Sequence, residues 1–130
     1  MKRRADLLLA VALFFGYLAL LLGTSGSLGF TRDEGFYFAS ARTYESWFEL
    51  LWSEPTRALS PAVSDRYWAV NHEHPALIKS LFALSHHLAA GLFAEESSSF
   101  RLPGMLLSSL AVSVTFVWGR RVFGRSGALV

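Results

Sequence analysis

Residues 7–22 read LLLAVALFFGYLALLL, and they decide the class of fold. The run carries no charge and is preceded by Lys2, Arg3 and Arg4. With the small and apolar residues that follow, it predicts a helical span over about 7–29, since ~20 apolar residues cross a bilayer core. A secretory signal peptide shares the basic start and the small residues at 23–27. Its apolar core is only ~7–15 residues long, however, and a second span argues for a polytopic chain. That second span covers about 102–119 and runs into Arg120, Arg121 and Arg125. The fold class is therefore all-α and integral to a membrane.

Arginine and lysine near span ends mark the cytoplasmic side. Both basic clusters belong there, so an even number of spans separates them and residues 31–100 form one outer loop. The loop holds six basic residues against nine acidic ones over 31–101, an asymmetry that fits this orientation. Residues 76–93 are also apolar. Counting them as a span would put Arg120 and Arg121 outside, and they carry Lys79, His86 and His87. With Leu77, Leu81, Leu84 and Leu88 on another face, the stretch predicts a helix lying in the membrane interface. Thr31-Arg32-Asp33-Glu34 has the form of a capping box and predicts a helix over 33–52. Its face of Tyr37, Ala41, Tyr44, Phe48 and Leu51 suits the headgroup level. Residues 53–71, with Pro55 and Pro61, predict a loop. Glu95 to Ser99 predict a hydrophilic turn, and 126–130 the start of a third span.

Composition excludes several functions. Net charge is +2 and there is no cysteine, so nothing marks a nucleic-acid partner or a thiolate metal site. No phosphate-binding glycine loop, dinucleotide fingerprint or hydrolase nucleophile elbow is present. What remains is polar chemistry at a membrane surface. Asp33 and Glu34 are either a helix cap, favoured by the helix dipole, or a general base or metal contact. His72-Glu73-His74 suggests a metal, but a zinc-peptidase helix needs His-Glu-x-x-His, so a turn or a lipid-phosphate contact fits better. Lys79, with His86 and His87, is a snorkelling cation or a seat for an anionic headgroup. Arg101 sits where a span's dipole disfavours a cation. It calls for a partner in Glu95, Glu96 or a lipid phosphate.

In order, Asp33-Glu34-Gly35-Phe36-Tyr37, His74-Pro75-Ala76-Leu77, Phe100-Arg101-Leu102-Pro103 and Gly119-Arg120-Arg121-Val122-Phe123-Gly124 form a set. It resembles the N-terminal part of polytopic glycosyltransferases of the GT-C fold, family 39 type. These include the dolichyl-phosphate-mannose protein mannosyltransferases, their bacterial relatives and the lipid A aminoarabinose transferases. The resemblance implies transfer of a sugar from a polyprenyl-phosphate carrier to an acceptor on the outer face of a cell's inner or plasma membrane. It implies Asp33 as the group that activates the acceptor hydroxyl, and Glu34 as its neighbour or a metal contact. His74, Lys79 and Arg101 would lie near the carrier phosphate, and a divalent metal is an open option rather than a certain cofactor. This chain has Ala76 where the family pattern has a second proline. Family members are also several times longer, so the other contacts would come from C-terminal spans or a partner subunit. Two alternatives stay open: a non-catalytic small membrane protein, as a fragment or a subunit, and a metal-dependent membrane hydrolase built on His72-Glu73-His74.

Overall fold

The computed structural model describes residues 2–29 and 31–129. Met1, Phe30 and Val130 lie outside the described set, as do the side chains of Lys2, Arg3 and Arg125, so that part of each basic cluster and the last residue of the expected third span are not characterised. Among the described residues every regular element is helical: α1 Lys2–Ser25, α2 Arg32–Ser53, α3 Pro55–Ala58, α4 Pro61–Trp68, α5 Ala76–Ala89, a 3₁₀ turn Ala90–Leu92, and α6 Glu96–Gly127. The chain forms two compact units, a helical pair made of Met1–Ser27 with Pro103–Val130, and a loop unit, Leu28–Leu102.

In the helical pair, α1 and α6 supply two segments long and apolar enough to cross a membrane, Arg4–Ser25 and Glu96–Gly124. The 22 residues of the first make about 33 Å of helix at ~1.5 Å per residue, enough for a ~30 Å hydrocarbon core. Exposed leucines and phenylalanines along it, such as Leu8 and Phe15, have no protein to cover them. The two helices run antiparallel. The Ser113 hydroxyl donates to the Ala10 carbonyl at 2.7 Å, and Arg120 pairs with Asp6. The start of α1 and the Arg120-Arg121 turn of α6 therefore share one end of the pair. Gly124 has φ 76°, a left-handed conformation that costs glycine nothing, and the helix axis breaks there. Residues 126–127 still belong to α6, and 128–129 leave it.

The loop unit has its own core. Phe38, Ala41 and Tyr44 of α2 pack against Ala83 of α5 and Phe100 of α6. Phe38 stacks on Phe100 with ring centroids 4.7 Å apart. Ala41 and Ala83 are fully buried, and small side chains facing one another let the two helix backbones approach closely. The predicted helix over 33–52 is present, but its aromatic face meets protein rather than headgroups.

Residues 53–71 form two short helices, where the sequence suggested a loop. Pro55 and Pro61 sit in their first turns, where proline presets the helical φ and its missing N–H is not needed. The Trp47 indole N–H donates to the Ala58 carbonyl at 3.1 Å, and Trp68 closes on Tyr44 at 4.3 Å. Ser97, Ser98 and Ser99 are buried in the first turn of α6 rather than forming a hydrophilic turn.

Helix α5 has the two faces that the sequence suggested. Leu77, Leu84 and Leu88 are exposed, as an interfacial helix requires, but on the other face Lys79 is fully buried with Ala83 rather than exposed as a surface cation. A face of leucines turned outward is what a lipid surroundings rewards, since hydrocarbon tails are as apolar as leucine.

Candidate functional site

The start of α2 is fixed by two linked devices. Thr31 is its N-cap with a capping box, and the Thr31 N–H donates to Glu34 Oε2 at 3.1 Å. Arg101 then grips the same carboxylate as a fork, Nε to Oε1 at 2.9 Å and an Nη to Oε2 at 2.8 Å. Its remaining donors reach the carbonyls of Leu28 at 3.1 Å and Gly29 at 2.9 Å. The Arg101 fork holds the Glu34 carboxyl down at about 2, from an ordinary 4.5, against the opposing effect of partial burial. The partner of Arg101 is thus Glu34, neither Glu95 nor Glu96.

With Glu34 turned toward Arg101, the adjacent Asp33 faces another way. Asp33 lines an open cleft of about 460 Å³ with Phe36, Tyr37, Asn71, Glu73 and His74 among its walls. The His74 ring stands edge-on to Tyr37, centroids 5.4 Å apart. Asp33 and His74 are both exposed and free to meet a ligand. Of the five residues singled out from the sequence, these two share the cleft. Glu34 and Arg101 engage each other and line none of it.

Lys79 lies behind the cleft. It is fully buried, so it neither snorkels nor reaches a headgroup. Its ammonium donates to the Asn71 carbonyl and sits over the Tyr44 ring at 5.4 Å. Asn71 has φ 53°, a left-handed conformation that asparagine adopts more readily than most residues. Its side-chain Oδ1 is buried without a hydrogen-bond partner. Asn71 carries no motif that sequence reading could single out; its role shows only in the structure, through its positive φ and its contact with Lys79.

A second cluster lies where α2, α5 and α6 meet. His86 stacks flat on Phe100 at 4.3 Å. Its Nδ1 is 2.8 Å from Glu45 Oε2, and its Nε2 is 3.1 Å from Glu96 Oε1. Glu96 also takes Arg42, through Nε at 3.2 Å. Next to His86, Glu45, Glu49 and His87 bring one ligand atom each to within 4.8 Å of one another. Two carboxylates and an imidazole form a mixed oxygen and nitrogen donor set of the kind divalent transition ions accept. Among the described residues this is the group that converges in such a way. His72 instead approaches the Ala69 carbonyl at 3.2 Å and Glu73 at 3.7 Å, while His74 turns to Tyr37.

Comparison with protein-family models, with curated protein sequences and with solved structures finds no match to this chain.

Proposed function

We propose that the loop unit carries part of the catalytic centre of a membrane glycosyltransferase, one that moves a sugar from a polyprenyl-phosphate carrier to an acceptor on the outer face of the membrane. The observation that carries this reading is the shared cleft: Asp33 and His74, distant in sequence, open onto one concavity. Asp33 takes the proton of the acceptor hydroxyl as its oxygen attacks the anomeric carbon. The bond from that carbon to the carrier phosphate breaks, and the phosphate leaves with the electron pair. A positioned base contributes ~10²–10⁴-fold to such a step. His74 is the one basic side chain of the original three that faces the cleft, and it stabilises charge developing on the leaving group. Lys79 acts from behind, by fixing the Asn71 wall. Asp33 and Glu73 make the cleft acidic, which suits the hydroxyls of a sugar or acceptor better than a resting phosphate. Glu45, Glu49 and His87 form a donor set that could hold a divalent ion, but they line a different cavity from Asp33 and His74, so that set serves no step in this cleft.

The orientation belongs to the same proposal. The N-terminus and the Arg120-Arg121 turn are cytoplasmic, the loop unit is outside, and further spans or a partner subunit complete the site. Asp33→Asn, made in the full enzyme and assayed with a lipid-linked sugar, lowers transfer at least ~10²-fold while membrane integration is unchanged. Transfer at the wild-type rate removes Asp33 from the role.

A further inference from the structure

The helical pair holds a concavity that the proposed transfer chemistry does not use. At the end where α1 starts, a cavity of about 520 Å³ is lined by Arg4, Asp6, Leu7, Val117, Arg120 and Arg121. Three guanidinium groups face one carboxylate. Asp6 is taken up by Arg120, and among the described residues Arg4 and Arg121 pair with no carboxylate. A second concavity, about 300 Å³, is lined along one face of α6 by Ser113, Val114, Val117, Trp118 and Arg121. Val117 and Arg121 line both, so a cationic site adjoins an apolar helix face. Val114 and Trp118 are 57% and 63% exposed, so among the described residues this apolar face is left largely uncovered.

We propose that this site binds an anionic phospholipid of the bilayer, with its phosphate against Arg4 and Arg121 and an acyl chain along Val114, Val117 and Trp118. The chemistry selects that ligand on three counts. Guanidinium is the side chain best matched to a phosphate, through paired N–H donors. Basic pockets between spans at the cytoplasmic surface are where anionic headgroups bind. Trp118 lies where an indole favours the boundary between headgroup and tail. A soluble phosphate satisfies only the arginines and leaves the apolar face bare, so that adjoining face favours a lipid. The Asp6–Arg120 pair holds Arg120 at the wall of the site.

The inference rests on reading α1 and α6 as spans, and the experiment separates the two ideas. Carbonate-resistant integration of the wild-type protein is measured first, and its loss sinks the membrane reading. The purified protein is then examined by native mass spectrometry with phosphatidylglycerol and phosphatidylcholine of matched chains at equal concentration. Phosphatidylglycerol is retained roughly tenfold over phosphatidylcholine, because the choline cation cancels the net charge that the arginines attract at about 1 kcal/mol each. Arg4→Gln with Arg121→Gln abolishes the preference, whereas Arg57→Gln with Arg66→Gln, an equal charge loss in the loop unit, preserves it. Val117→Trp fills the shared wall, keeps every charge and lowers retention, which decides the matter even if the arginine double variant does not fold. An integrated protein with equal retention of both lipids, an equal loss in the Arg57/Arg66 variant, or full displacement by inorganic phosphate at the lipid's concentration overturns the proposal.

Discussion

Two single residues show how local sequence rules are completed by distant partners. Pro103 lies inside α6 and has no N–H to give the carbonyl four residues before it, that of Ser99. The Ser85 hydroxyl supplies the missing donor, at 2.6 Å, and Ser99 is fully buried. Ser85→Ala leaves that carbonyl unsatisfied and lowers stability by about 1–3 kcal/mol. Pro103→Ala restores the backbone donor, so the double variant melts above Ser85→Ala alone, as thermal denaturation in detergent will show. Glu34 and Arg101 behave similarly. The capping box is legible in the sequence because it is local, whereas the Arg101 partner lies 67 residues away and no local rule points to it. Glu34 has a folded-state pKa below its ordinary value, so the pair contributes fully above about pH 4.5. That contribution is lost as pH falls from there toward about 2, because the unfolded chain takes up the proton first. Glu34→Gln removes this acid-side slope from the pH–stability curve and costs about 1.5–3 kcal/mol at neutral pH.

At the scale of elements, α5 separates what periodicity can and cannot tell. The spacing of its leucines and its basic residues marks two faces, and the structure has both. Periodicity does not say which face turns inward. In water the leucine face would be buried; here Ala83 and Lys79 are buried and Leu84 and Leu88 are not. The inner face is small at Ala83 because it packs against the large aromatics Phe38, Tyr44 and Phe100. Ala83→Leu therefore overpacks that contact and costs about 1–3 kcal/mol, while Leu84→Asn changes stability in detergent by less than about 0.5 kcal/mol. Equal effects of the two substitutions would contradict this packing. The short helices α3 and α4 escaped the sequence reading because each is too short to display a period. Only their first-turn prolines announced them, and proline marks loops as readily as helix starts.

At the scale of the whole molecule, the two long apolar helices were the plainest features of the sequence, because a span is set by length and composition alone. Asp6 stands beside three basic neighbours in the sequence and so carries no evident signal, yet an acid at a span end calls for a partner. Arg120 provides it. The chain has no cysteine, so single thiols report the proposed orientation without background. Thr56→Cys labels with an impermeant maleimide added to intact cells, and Ser126→Cys labels only after the membrane is opened. Labelling of both from outside would rule out the even-span topology.

The grip of Arg101 on the Leu28 and Gly29 carbonyls also sets a clock on biogenesis. These contacts join residues 73 and 72 positions apart. At ~5–20 residues per second of synthesis, roughly 4–15 s pass between the emergence of the first residues and that of the arginine. Throughout that interval Glu34 has lost its water-side freedom to no one, and the start of α2 rests on its cap alone. A nascent chain stalled before Arg101 emerges therefore leaves the Leu28 and Gly29 carbonyls and the Glu34 carboxylate to water, and these contacts close only when the arginine arrives.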